Sequence, residues 1–113
     1  MKKLSLPSRQ REYDRLRQTL ARIGYISQGS VLDRSTLKTP RTGYQWTRKL
    51  SRKTITVALS QQQFQALRQA IQNRKILSCA IARMERLSRQ ILFASTPDTR
   101  RRKRLSPRVL GLI

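Results

Sequence analysis

Five consecutive cations form the densest cluster of functional groups in the sequence: Arg100, Arg101, Arg102, Lys103 and Arg104. Asp98 is the nearest acid, so these groups have little to pair with inside the chain. Phosphates are suitable partners for these cations, because each neutralised phosphate releases a counterion. If all five cations bind phosphates, the run contributes about −4 to −5 to the log–log slope of the binding constant against salt concentration. Such contacts position a protein on nucleic acid without reading its sequence. A solubilising tail with no partner is the alternative.

A second basic cluster lies at the expected tip of a β-hairpin and comprises Arg48, Lys49, Arg52 and Lys53. A two-stranded ribbon fits the major groove of DNA, where its side chains reach base edges. Tyr44 and Trp46 lie just before the cluster and have rings that can stack on unpaired bases. Packing on the long helix is the alternative role for both rings, and a solvated turn is the alternative for the cations.

The chain offers few residues for catalysis or metal binding. It has no histidine, one cysteine and five acids, namely Glu12, Asp14, Asp33, Glu85 and Asp98. Zinc and iron–sulfur sites need clustered Cys or His ligands, and a metal site for phosphoryl transfer needs neighbouring carboxylates. The sequence contains neither a Gly-x-Ser-x-Gly motif nor a glycine-rich phosphate loop. We therefore expect a protein that is not an enzyme and holds no metal and no cofactor.

Positive charge dominates the composition. Lys and Arg number 26 against five acids in 113 residues, which gives a formal net charge of +21. Repulsion on that scale opposes a compact state and is relieved by a polyanion. Nucleic acid is the expected partner, with DNA favoured over RNA. No apolar run approaches the ~20 residues of a membrane-spanning helix, and the N-terminus has no apolar signal-peptide core. We expect no membrane partner and a location in the cytoplasm or on the nucleoid.

The periodicity of apolar residues predicts the α+β elements that position these groups. Residues 1–7 are expected to be a flexible N-terminus, and helical spacing predicts a first helix at 8–23. The segment 25–32 is expected to be a weak strand, in which Gly29 marks a bulge or a close backbone approach. Alternation in YQWTRKL and TITVAL predicts an antiparallel hairpin at 44–59. Its turn lacks the glycine that tight hairpins favour, so the sequence leaves the register open.

The start of the second helix has the clearest local motif. Ser60 and Gln63 form a capping box, in which each side chain satisfies the backbone N–H of the other residue. Leu59 and Phe64 have the spacing of a hydrophobic staple across the same helix start. The hairpin is therefore expected to pass into a helix with almost no loop.

The second helix is expected to be long, covering 61–94. Its apolar stripe is longer than a small hairpin can cover. The rest of the stripe must pack on the first helix or on a second copy of the chain, or the helix must bend near residues 74–79. A homodimer through this helix is accordingly an expected partner. Cys79 is expected to be a lone buried thiol. Residues 8–94 then form one small module, and 95–113 form a disordered basic tail.

Three segments of the chain resemble a known group of proteins: Ile26–Ser30, Tyr44–Val57 and Gln61–Leu92. The group consists of small proteins of unknown function, often found beside transposase genes. Its members have an I-x-x-G-S segment, then a Y-x-(W/L)-(T/S)-(R/Y)-K…(G/R)-K-T…V-x-(L/V) hairpin, then a long helix. The resemblance covers about residues 22–92 and implies a mobile-element context. Many members carry a cysteine cluster before the hairpin; residues 33–43 have none, so no metal-dependent feature carries over.

The resemblance transfers no catalytic residues, because none is established for that group, and Arg52 replaces its hairpin-turn glycine. The residues and the resemblance together predict a non-enzymatic, basic nucleic-acid-binding accessory protein linked to a transposable element. Three alternatives stay open. They are an RNA- or ribonucleoprotein-binding module, a helical self-association protein with incidental charge, and a transposase relic with no independent activity.

Overall fold

The computed structural model describes residues 6–96 and 105–111. Its elements are α1 (Leu6–Arg22), β1 (Ser30–Asp33), a 3-10 turn (Arg34–Thr36), β2 (Tyr44–Leu50), β3 (Lys53–Leu59), α2 (Gln61–Ser95) and α3 (Pro107–Leu110). The strands form one antiparallel sheet in the order β1-β2-β3. The α+β fold expected from the sequence is confirmed: an N-terminal helix, a small antiparallel sheet and a long helix.

The chain divides into two compact units, where the sequence suggested a single module over 8–94. One unit is Ile23–Leu77, which contains the sheet and the first part of α2. The other unit combines Met1–Arg22 with Ser78–Ile113 and contains α1 and the rest of α2. The physical reason is the length of α2, whose 35 residues present more surface than one small sheet covers.

A two-residue turn fixes the register of the hairpin in the sheet-bearing unit. β2 and β3 pair as far as Leu50 with Lys53, which leaves Ser51 and Arg52 as the turn. These two residues have φ values of 49° and 68°, and positive φ at both central positions is what a type I′ turn requires. This turn type matches the twist of paired strands, so it forms here although neither residue is glycine.

The strand expected at 25–32 is shorter in the structure and covers only β1. The residues before it hydrogen-bond to α2 instead. The Ser27 backbone N–H donates to the Ala70 carbonyl oxygen at 3.2 Å, and Asn73 Nδ2 donates to the Tyr25 carbonyl oxygen at 2.9 Å. Because α2 satisfies these backbone groups, the segment has less need of a strand ladder to pair them.

Gly29 makes the close backbone approach that the sequence suggested. Its φ is 99°, and a Cβ atom at this position would lie 2.5 Å from the Thr47 carbonyl oxygen and 2.6 Å from Trp46 Nε1. No side chain fits at those distances, so glycine is required. Trp46 Nε1 also donates a hydrogen bond of 2.9 Å to the Gln28 carbonyl oxygen, which ties this segment to the sheet.

The capping box at the start of α2 is confirmed. The Ser60 backbone N–H donates to Gln63 Oε1 at 2.9 Å, and the Gln63 backbone N–H donates to Ser60 Oγ at 3.1 Å. Phe64 lies in the first turn, and its ring packs on that of Tyr44 with centroids 4.5 Å apart. The helix then continues through 74–79 without the break that the sequence allowed.

In the helical unit, α1 begins at Leu6, two residues before the expected start at 8, and ends at Arg22. Proline is tolerated in the first turn because its missing N–H would have no partner there, and Pro7 therefore permits the earlier start. The Ser8 hydroxyl, in this first turn, accepts a hydrogen bond of 3.0 Å from Arg11 Nη2. The remaining residues of the expected flexible N-terminus lie outside the described part of the chain.

The core of the helical unit centres on Leu87, which is wholly buried, and on Ala80, which is 6% exposed. Cys79 is exposed rather than buried. The exposure of Cys79 follows from the burial of Ala80, because neighbouring side chains on a helix point about 100° apart and that of Ala80 faces inward. Ile81, the apolar residue that follows Ala80, is 42% exposed for the same reason.

The expected disordered tail, 95–113, contains a helix in its described part. Ser106 caps α3 by accepting a hydrogen bond from the Val109 backbone N–H at 3.3 Å, and Gly111 ends the helix with a φ of 74°. Serine before a helix and a left-handed glycine after it are favoured caps. Arg89 Nε of α2 donates to the Leu110 carbonyl oxygen, which holds this turn within the helical unit.

Candidate nucleic-acid interface

The hairpin extends past the third strand of the sheet. β1 pairs with β2 only over Tyr44–Thr47. Beyond that point β2 and β3 continue as a two-stranded segment, 48–55, which we call the tip ribbon. All four cations of the hairpin cluster lie on the tip ribbon.

The strand alternation divides these cations between faces of the sheet. Lys49 lies opposite Thr54 on one face, whereas Arg48 and Lys53 lie on the other, and Arg52 lies in the turn. Lys49, Arg52 and Lys53 are exposed. The structure therefore gathers the predicted hairpin residues at one end of the sheet, but it does not place them on one surface.

Arg48 differs from the other three because it contacts a tryptophan. Its guanidinium carbon lies 5.8 Å from the centroid of the Trp46 ring, within the range of a cation–π interaction. The indole N–H is bonded to Gln28, and the ring of Tyr44 packs on Phe64. Both aromatic residues thus have intramolecular contacts on the same face of the sheet.

The opposite face of the sheet is mostly polar, and we call it the polar face: it carries Ser30, Gln45, Thr47, Lys49, Thr54 and Thr56, with Leu32 and Ala58 on either side of Gln45. The hydroxyls of Thr47 and Thr56 lie 3.5 Å apart across the hairpin, and Arg34 Nε donates to Gln45 Oε1 at 3.2 Å. The hairpin residues predicted to bind nucleic acid are all cations and do not include the threonines, although the alternation in TITVAL identifies the face on which Thr54 and Thr56 lie. Ser30 joins them only through β1 pairing, which no local pattern encodes.

The sheet-bearing unit has very little negative charge to balance its cations. Residues 23–77 contain ten Lys and Arg and a single acid, Asp33. The Asp33 carboxylate caps the 3-10 turn, accepting hydrogen bonds from the Ser35 hydroxyl at 2.7 Å and the Ser35 backbone N–H at 3.0 Å. These two bonds lower the pKa of Asp33. The carboxylate is therefore ionised and already satisfied locally.

Two cations of α2 take part in contacts within the helical unit. Arg83 binds Glu12 through two hydrogen bonds of 2.8 Å and 3.0 Å, and Arg89 bonds to the α3 backbone. The hydrogen bonds from Arg83, with its positive charge, lower the pKa of Glu12 against the opposing effect of burial. The other four cations of α2 are exposed, namely Arg68, Arg74, Lys75 and Arg86.

The basic run Arg100–Arg104 lies outside the residues that the structure describes, so its position stays a prediction. Among residues 6–96 and 105–111, no group of three or more Cys, Asp or Glu side chains is placed to hold a metal ion. Within the same ranges, no helix combines the length and apolar character needed to span a membrane.

Comparison of the chain with protein-family models, curated proteins and solved structures finds no match. The similarity to transposase-associated proteins therefore rests on the sequence motifs alone.

Proposed function

We propose that this protein is a non-enzymatic, basic nucleic-acid-binding accessory protein and that its tip ribbon binds phosphates. The observation that carries the proposal is the cationic surplus of residues 23–77, where ten Lys and Arg face one acid. Lys49, Arg52 and Lys53 contribute to this surplus from exposed positions at the end of the hairpin. A projecting, uncompensated cationic tip suits a polyanion, because neutralising it relieves repulsion within the chain.

The size of the expected electrostatic effect follows from the number of phosphate contacts. Three exposed tip cations on B-form DNA give a log–log salt slope of about −2.7, at roughly −0.9 for each contact. The run Arg100–Arg104 adds a further slope of about −4 to −5 if all its cations bind. The run Arg100–Arg104 then contributes more of the salt-dependent affinity than the hairpin does.

The proposal is tested by titrating the full chain against duplex DNA, single-stranded DNA and RNA at several salt concentrations. We expect affinity to fall steeply as salt rises. A flat salt dependence for all three ligands refutes the proposal. Tighter binding to RNA than to either DNA identifies the RNA-binding alternative.

Matched variants assign the binding to the hairpin. One variant carries Lys49→Gln, Arg52→Gln and Lys53→Gln. It should lower the magnitude of the salt slope by about 2.7 if all three cations contact phosphates, and by about 1.8 if Lys49 contacts a base edge instead. The control variant loses the same net charge from exposed positions of α2 through Arg68→Gln, Lys75→Gln and Arg86→Gln. A larger loss in the tip variant supports the hairpin as the site, whereas equal losses indicate binding by total charge alone.

Self-association through α2 is a second proposal, favoured by exposed apolar residues near its end. Leu92 and Phe93 are 60% and 46% exposed. Sedimentation of nucleic-acid-free protein at high salt tests it. A dimer that persists at high salt and disappears in a Leu92→Gln, Phe93→Gln variant supports pairing of hydrophobic surfaces. A monomer at all concentrations excludes it.

A link to a transposable element is proposed from the motif resemblance alone, and a cytoplasmic or nucleoid location follows from the proposed partner. Sequencing of DNA cross-linked to the protein in its source cells tests both. Enrichment of the ends of a mobile element supports the link, and recovery of no DNA argues against the nucleoid.

A further inference from the structure

The two faces of the hairpin differ in the chemistry they offer a nucleic acid. The polar face presents hydroxyls and one ammonium group near the tip, in two successive rows. Lys49 pairs with Thr54 in the first row, and Thr47 pairs with Thr56 in the second. Lys49, Thr54 and Thr56 are exposed, and Thr47 is half-buried. The face is less polar in the next row, farther from the tip, because Ala58 lies opposite Gln45 there.

The polar face contains no aromatic ring, because the alternation places Tyr44 and Trp46 on the other side of β2. Those rings pack on Phe64 and Arg48 respectively. Binding of single strands depends strongly on stacking of bases on aromatic side chains. The exposed polar side of this sheet therefore lacks the groups that unpaired DNA or RNA requires, but it has groups that bond to base edges.

The width of the tip ribbon is also informative. Residues 48–55 have only two strands, since β1 ends its pairing at Thr47. Adjacent strands lie about 4.8 Å apart, and the major groove of B-form DNA is about 12 Å wide and admits a two-stranded ribbon. The major groove of A-form RNA is too narrow and deep for side chains to read.

We propose that the tip ribbon enters the major groove of duplex DNA with its polar face toward the base edges, and that the adjoining row, Thr47 and Thr56, follows it into the groove. The inference rests on the nucleic-acid-binding function proposed above. Lys49 donates to purine N7 or guanine O6, and the threonine hydroxyls bond to base edges on either strand. Arg52 and Lys53, at the turn, contact phosphates at the groove wall. The preferred ligand class is B-form duplex DNA, ahead of single strands and duplex RNA.

The charge of the ribbon favours the same ligand. Lys49, Arg52 and Lys53 lie within five consecutive residues, and the sheet-bearing unit has only Asp33 as an acid. The walls of the groove carry one negative charge per ~1.7 Å of helix axis. A ribbon that inserts its tip between two phosphate rows places these cations where the charge density is greatest.

The test uses the full chain and fluorescence anisotropy with a short mixed-sequence duplex DNA, its single strand and the matching duplex RNA. The test variant, Thr54→Val with Thr56→Val, removes two hydroxyls but keeps β-branched shape and charge. The control variant, Thr39→Val with Thr42→Val, makes the same change in the exposed segment before β2. Fluorescence of Trp46 verifies that each variant retains the folded sheet.

We expect the test variant to bind duplex DNA about tenfold more weakly, a loss typical of broken base-edge contacts. Its salt slope should be unchanged because no charge is lost, and the control should bind like the unaltered chain. Equal affinity of the test variant and the unaltered chain, or single strands or duplex RNA bound as tightly as duplex DNA, overturns the inference. In those cases salt-dependent binding still supports the proposed function.

A second measurement changes the DNA and leaves the protein intact. A duplex built with 7-deazapurines lacks the N7 acceptors of the major groove and keeps its phosphates. We expect it to bind several-fold more weakly than the ordinary duplex at the same salt concentration. Equal binding of the two duplexes contradicts major-groove insertion. If no nucleic acid binds at any salt concentration, the proposed function itself fails and the inference fails with it.

Discussion

Replacement of Arg52 by glycine should make the hairpin more stable and nucleic-acid binding weaker. Arg52 has a φ of 68° in the turn, and a left-handed backbone costs an L-residue roughly 1–2 kcal/mol. Glycine removes that steric cost but loses up to ~1 kcal/mol more chain entropy on folding. With the full entropy loss, the net expectation for Arg52→Gly is a gain of up to about 1 kcal/mol in the free energy of unfolding.

The same substitution removes one cation from the tip ribbon. The log–log salt slope should then be smaller in magnitude by about 0.9. Arg52→Gln is the matched control, because it removes the same charge and keeps a side chain in the left-handed position. It should therefore reproduce the change in binding without the gain in stability.

Two assays read these effects separately. Trp46 is the only tryptophan of the chain and lies in β2, so its fluorescence during urea unfolding reports on the sheet. Anisotropy titrations with duplex DNA give the salt slope. A lower free energy of unfolding for Arg52→Gly than for Arg52→Gln refutes the type I′ turn. An unchanged salt slope for both variants removes Arg52 from the binding site.

Three further predictions concern the fold. Gly29→Ala should lower the free energy of unfolding by roughly 1–3 kcal/mol, because φ is 99° and the added Cβ meets backbone. Gly24→Ala is the control and should cost far less, because its Cβ would lie 3.5 Å from the nearest atom. Urea titrations followed by tryptophan fluorescence compare the two variants. Because the pKa of Glu12 is lowered, its bond to Arg83 stabilises the fold fully above pH 4.5, and this stabilisation is lost as pH falls through the folded-state pKa. Glu12→Gln should therefore reduce the acid dependence of the thermal unfolding temperature. It should also cost about 1 kcal/mol of stability at neutral pH. Leu87→Ala should cost about 2–5 kcal/mol, measured by circular dichroism of the helices, and a loss below 1 kcal/mol contradicts its place at the centre of the core.

The elements that sequence reasoning found are those whose pattern is local. The capping box needs only Ser60 and Gln63 three residues apart, and the structure contains both of its hydrogen bonds. The hairpin needs only alternation within two seven-residue strands, and both strands form where the alternation occurs. In each case the information lies within a few residues, so no distant contact decides the outcome.

The elements that sequence reasoning missed depend on distant partners. The segment 25–28 bonds to α2 through Ser27 and Ala70, which lie 43 positions apart in the numbering. Nothing in the segment itself encodes that partner, so its apolar residues suggested a strand. The burial of Ala80 in place of Cys79 has a similar origin, because both side chains are small and the packing of the helical unit decides which one faces inward.

The candidate site could be predicted only in part from local sequence patterns. The sequence located the cations of the tip ribbon, but their division between faces depends on a register that the turn residues did not specify. Ser51 and Arg52 adopt a geometry that favours asparagine and glycine, so at this turn the local sequence preference and the fold disagree. Such disagreements are expected where a residue serves function rather than stability. The turn itself does not favour an arginine in the left-handed region, and the phosphate contact proposed for Arg52 supplies a reason for one there.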